Sequence, residues 1–127
     1  MSNLGLKADL GFDNGKYHVG LSLVEFEEDN VTIIYSPALD LSGYGYDHSE
    51  AKSSFVEALH EFFRYTTNKN TLNQVLRELG WNIKGSKKNQ KFDPPKDSEL
   101  VTSNPVYKEI VDNKNYKVSR EDVEFAY

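Results

Sequence analysis

Two alternating apolar runs, separated by Asn14-Gly15, constrain this chain more than anything else in it. Leu4, Leu6, Ala8, Leu10 and Phe12 alternate with polar residues or glycine, and Tyr17, Val19, Leu21 and Leu23 do so beyond the turn. A period of two is that of a strand with one buried face. Asn-Gly tolerates positive φ at both central positions, which a tight hairpin requires. Folding the chain about that dipeptide pairs Phe12 with Tyr17, Leu10 with Val19, Ala8 with Leu21 and Leu6 with Leu23. A slip of one residue would turn this apolar set to water, so pattern and turn specify one register.

A second polar turn lies at Glu27-Glu28-Asp29-Asn30. Pairing about its centre places Phe26 by Val31, Val24 by Ile33 and Ser22 by Tyr35 on one face, with Leu23 and Ile34 on the other. The sheet is thus apolar on both faces at this end. Val24, Phe26, Val31, Ile33 and Tyr35 form the face that needs a second cover, and they are the partner-binding residues expected from sequence. Pro37 ends the strand because it cannot donate to a ladder, and a further short strand is expected within 39–45.

Asp47 then opens a helix expected to run from Asp47 to Tyr65, with Glu50 as its capping-box partner. Ala51, Phe55, Ala58, Leu59 and Phe62 form its apolar stripe. Thr71 and Gln74 suggest a second capping box, and Leu72, Val75, Leu76 and Leu79 a short helix that Gly80 closes. Trp81-Asn82-Ile83 reads as a brief strand. Lys84, Lys87, Lys88, Lys91 and Pro94-Pro95 mark a basic linker. Asn104-Pro105 caps a helix of two turns carrying Val106, Ile110 and Val111. Tyr116, Val118, Val123, Phe125 and Tyr127 suggest one or two strands that dock on the sheet.

The expected fold class is α+β. It has an antiparallel sheet of three or four strands with one long helix packed on one face, a short second helix and a docked C-terminal tail. The divisions are 1–83 for the α+β domain, 84–95 for the linker and 96–127 for the extension.

Several chemistries lack residues to carry them. The chain has no cysteine, which removes disulfide frameworks and thiolate metal sites. A net charge of −5 disfavours coating nucleic acid by charge alone. No apolar run is long enough to span a bilayer and no signal-peptide pattern opens the chain, so a cytoplasmic location is expected. Gly43-Tyr44-Gly45 begins a dinucleotide fingerprint, but His48 replaces its third glycine. His18, His48 and His60 have no metal-ligand spacing. Asp9 with Glu57 or Glu61 is the one carboxylate set that a ribonuclease H-like core would use to hold a divalent ion. In the expected register Asp9 faces away from the helix that carries the other two. No catalytic, cofactor or metal residues are therefore assigned, and the chain is not expected to be an enzyme.

The stretch from Ser36-Pro37-Ala38-Leu39 through Gly43 and Gly45 to Asp47 and Glu50-Ala51 resembles the HicB-like antitoxin family. Gly45-Tyr46-Asp47 stands for that family's Gly-Asp-Thr-like step, and the likeness covers about residues 17 to 65. The resemblance implies a partial ribonuclease H-like fold without nuclease activity. It also implies neutralisation of a small ribonuclease toxin of HicA-like type. The strand before residue 17 is additional, and Leu41-Ser42-Gly43 replaces the family's Pro-Gly-Cys-like step. The tail shows neither a helix-turn-helix nor a ribbon-helix-helix pattern, so operator DNA binding is not expected of it. A metal-dependent nuclease of ribonuclease H type and a self-associating structural domain, homodimeric through the second sheet face, are the alternative readings.

Overall fold

The Asn14-Gly15 hairpin forms in the register its pattern dictates. In the computed structural model, which describes residues 6–86 and 89–126, strand β1 (Ala8–Asp13) pairs with β2 (Lys16–Glu28) through Phe12–Tyr17, Leu10–Val19 and Ala8–Leu21. Asn14 and Gly15 both have positive φ, as a two-residue hairpin turn needs. Leu6 does not continue the apolar row towards Leu23. It packs against the cluster on the other side of the sheet. Leu4 of the first strand, Lys87 and Lys88 of the linker, and Tyr127 lie outside the described residues.

The second hairpin is tighter than expected. Strand β3 (Val31–Ser36) pairs with β2 through Glu28–Val31, Phe26–Ile33 and Val24–Tyr35, two residues from the anticipated register. Asp29 and Asn30 take φ of 52° and 66°, so a two-residue turn closes where a four-residue one was anticipated. A shift of two preserves the faces, and the apolar sets stay together. Strand β4 (Leu41–Gly45) follows the bend at Pro37 and pairs with β3.

Helix α1 (His48–Asn68) lies on one face of this sheet. The Asp47 carboxylate accepts from the Glu50 N–H at 2.8 Å, and the Glu50 carboxylate accepts in turn from the Tyr46 N–H at 2.8 Å. Its buried row is Ala51, Phe55, Leu59, Phe63 and Thr66. Phe63, not Phe62, is therefore the aromatic in the core; Phe62 packs at its margin and Ala58 is half-buried. Phe63 continues the steps of four from Ala51 through Phe55 and Leu59, and helical spacing alone does not choose between it and its neighbour Phe62. Helix α2 (Leu72–Glu78) buries Leu72 and Leu76, but Thr71 makes no side-chain cap. Gly80 ends it at φ +97°, and the Trp81 indole N–H donates to the Ala38 carbonyl at 2.8 Å.

The segment read as a linker carries structure. Strands β5 (Asn82–Lys84) and β6 (Lys91–Asp93) pair with each other, and β6 joins β1 at Leu10–Phe92. Phe92 is buried in the main core. Helices α3 (Asp97–Ser103) and α4 (Pro105–Asn113) then cover the second sheet face, and β7 (Lys117–Ala126) returns along β2. The tail strand is thus one continuous element of ten residues. The described residues form an α+β fold with a seven-stranded antiparallel sheet and four helices. The class and the long helix are as expected, while β5, β6 and β7 enlarge the sheet.

Strand β2 organises all of this. The order β4-β3-β2-β1-β6-β5 has β7 added on β2. Residues 16–21 pair with both β1 and β7, and residues 24 and 25 pair with both β3 and β7. Because β7 follows one edge of β2 over residues 16–25, β1 and β3 lie end to end along the other.

Two tyrosine hydroxyls fix the tail helices, one to the sheet and one to each other. Tyr35 donates to Asp40 Oδ1 at 2.6 Å and accepts from Asn104 Nδ2 at 2.8 Å, while Asn104 Oδ1 caps α4. Tyr107, fully buried, donates to Asp97 Oδ1 at 2.5 Å. Burial first, and then these carboxylate contacts, push both phenols well above the usual tyrosine range. In the unfolded chain tyrosine ionises near pH ~10. There the unfolded state releases protons that the folded state keeps. Stability supplied by these groups is therefore complete below about pH 10 and falls as pH rises past it. Urea midpoints measured at about pH 9 and about pH 11 are expected to differ by less in the Tyr35→Phe/Tyr107→Phe variant than in the parent chain. Equal pH dependence in the two proteins would remove the assignment.

Candidate functional site

The face assigned from sequence to a partner is occupied from within. Val24, Phe26 and Tyr35 are buried with Leu100, Val101, Tyr107 and Ile110 of α3 and α4. Ile33 and Val31 are half-buried, and Ile33 packs against the same cluster. The apolar patch that the sequence marks as needing a cover is thus the floor of a second core. Helix α3 itself went unread, although Asp97, Leu100 and Val101 carry the i, i+3, i+4 spacing that marks it.

The carboxylates of the nuclease reading do not meet. Asp9 sits opposite Gly20, in the row of β2 residues that faces away from α1, while Glu57 and Glu61 are exposed on α1. The sheet stands between them. Asp9 instead pairs with Arg120 at 2.8 Å, and Glu61 with Arg64. Among the described residues no group of three or more histidines or acids is placed to hold a metal ion. The histidines are dispersed: His48 meets Glu25 at 2.7 Å, His18 meets Glu124 at 3.3 Å, and His60 abuts the Phe125 ring edge-on.

What remains open is the step from β4 into α1. Gly43 and Gly45 lie against the helix backbone so closely that a Cβ on Gly43 would stand 2.3 Å from the Phe55 nitrogen, and one on Gly45 2.4 Å from the Ala51 nitrogen. Only glycine fits a contact this close. The alternating residues, Tyr44 and Tyr46, carry their rings away from that contact and are 57% and 84% exposed. On the outer edge of β4 the Tyr44 N–H donates to Ser54 Oγ at 3.1 Å, and just past the strand the Tyr46 N–H donates to the Glu50 carboxylate at 2.8 Å. The two rings are therefore held on a braced backbone. They border a shallow cavity of about 510 Å³ with Ser49, Ser53, Glu50 and Glu57.

Tyrosine and serine on a rigid support make an efficient contact surface, because tyrosine brings large area at low entropic cost and serine adapts its hydrogen bonds. The surface is also acidic. Glu57 makes no ion pair or hydrogen bond among the described residues, while Lys52, the nearest lysine on the helix, is held by Glu121 at 3.3 Å. From sequence the Gly-Tyr-Gly-Tyr run is a turn that feeds the helix, which gives Tyr44 and Tyr46 no role. Its signal was the alternation, which in a strand leaves one face bare for a helix and arms the other.

No protein-family profile, curated protein or solved structure matches the chain. No described helix is long and apolar enough to cross a membrane.

Proposed function

We propose that this chain is a protein-binding module of HicB-like antitoxin type, cytoplasmic and without catalytic activity, that engages a small basic ribonuclease through the Tyr44–Tyr46 surface. The observation that carries the reading is the pair of exposed tyrosines braced over the acidic first turns of α1. They lie within the stretch where the sequence resembles that family. A ribonuclease must attract phosphate and so presents basic surface. An acidic, tyrosine-bearing patch complements such a surface in charge and in hot-spot chemistry. The metal-dependent nuclease reading has no comparable support, since its three carboxylates are on opposite sides of the sheet.

The test uses the full chain purified from its native host. It is expected to retain a small basic protein whose ribonuclease activity falls when more of the chain is added. Tyr44→Ala/Tyr46→Ala should keep the parent's thermal transition and weaken capture by at least about thirtyfold, the loss of about 2 kcal/mol that truncated hot spots show. Capture of no such protein, or equal capture by the variant, would remove the proposal.

A further inference from the structure

Strand β7 is ten residues long, and among the described residues it has no neighbour beyond β2. A free edge of this length is a template for another strand. Ser22 donates its N–H to Lys7 on the β1 side, so the even residues of β2 bond to β1 and the odd ones to β7. The pairing of β7 with β2 then uses the odd residues of β7. It leaves Val118, Arg120, Asp122, Glu124 and Ala126 with backbone groups directed to the open edge.

We propose that β7 pairs antiparallel with β7 of a second copy of this chain, about a two-fold axis at Glu121. Overlap and charge together decide between registers: centring on Ser119 also opposes unlike charges, Lys117 and Glu121, but aligns only residues 117–121 of the two strands, whereas centring on Glu121 aligns 117–125. Centring on Arg120 opposes two arginines, and centring on Val123 sets Asp122 against Glu124. Centring on Glu121 places Arg120 opposite Asp122 of the second copy, twice by symmetry. Arg120 has capacity for this. Both of its ion contacts, to Asp9 at 2.8 Å and Asp122 at 3.3 Å, use Nη2 alone, while a guanidinium carries five donors. On the helix side the two Glu121 carboxylates meet at the axis, and each already has Lys52 at 3.3 Å to offset the other's charge. The alternative centre at Asp122 brings two aspartates together and moves Arg120 opposite Glu124. This interface is separate from the Tyr44–Tyr46 surface, which lies on the β4 side of the sheet, so the two readings fail independently.

The chain's lack of cysteine makes the test direct. Opposed residues of a non-hydrogen-bonded antiparallel pair have Cα atoms about 4.5 Å apart, within disulfide reach. Glu121→Cys, in the full chain, is expected to form a disulfide-linked dimer on mild oxidation, while Glu99→Cys on α3 stays unlinked. By sedimentation the parent chain should be a dimer, and Arg120→Asp should raise its dissociation constant by at least about tenfold. The double variant Arg120→Asp/Asp122→Arg should restore the dimer, because the exchanged carboxylate and guanidinium again face each other across the axis. A centre at position 122 would instead oppose the two introduced guanidinium groups and prevent rescue. A monomeric parent, a dimer that Arg120→Asp leaves intact, a swap without rescue, or linkage at residue 99 as ready as at 121 would each overturn the proposal. Should Arg120→Asp fail to fold, the Glu121→Cys crosslink decides alone.

Discussion

Phe63→Ala is expected to cost about 3–5 kcal/mol of stability, the range for truncating a buried aromatic ring. Phe63 is fully buried on α1 and sits where three elements meet. Its ring centroid is 5.2 Å from Tyr17 of β2 and 5.6 Å, stacked, from Phe125 of β7. Phe62 meets it edge-on from the margin of the core. Removing Phe63 leaves a cavity that the sheet cannot fill, since Tyr17 and Phe125 are held by long backbone ladders to β1, β2 and β7. Phe62→Ala, at a half-buried position, should lose less than half as much. Chemical denaturation of the two variants separates them. Equal losses, or a larger loss at Phe62, would mean that the helix is rotated from the face described above.

A chain ending at Lys84 is expected not to fold as a stable monomer. Such a chain lacks Phe92 and Phe125 of the main core and Leu100, Val101, Tyr107 and Ile110 of the second. Six buried apolar side chains at about 1.5–3 kcal/mol each amount to on the order of 10 kcal/mol, comparable with the whole stability of a domain this size. The truncation also strips the ten-residue partner from one edge of β2 and uncovers Val24, Phe26 and Tyr35. Exposed apolar surface beside an unpaired strand favours association. Size-exclusion chromatography and a thermal melt should show aggregates and no cooperative transition. A soluble monomer with a sharp transition would show that the first 84 residues hold together without their cover.

Local chemistry was readable from residue order wherever it acts over a few positions. Asn14-Gly15 specified a turn because both residues accept positive φ, and the alternation on either side specified which faces meet. Asp47 and Glu50 specified where α1 begins, because their carboxylates reach backbone N–H groups only a turn away. The same rules failed by one step where a distant element decided the outcome. Asp29 and Asn30 closed a tighter turn than four polar residues suggested, and Phe63 took the core position that periodicity gave to Phe62. Phe92, in a stretch that composition marks as linker, was drawn into the core by pairing with Leu10, more than eighty positions earlier.

The candidate surfaces divide in the same way. That Val24, Phe26 and Tyr35 need a cover follows from their alternation with the residues under α1, and so from sequence alone. That α3 and α4 supply the cover does not, because a short amphipathic segment has no address written in it. Its position depends on which apolar surface is left when the rest of the chain has packed. The exposure of Tyr44 and Tyr46, and the free edge of β7, are outcomes of that same process. Local sequence determined the turns, caps and faces of this protein through interactions spanning a few bonds. Only tertiary packing, which sums burial over elements far apart in the chain, decided which surfaces stayed open to a partner.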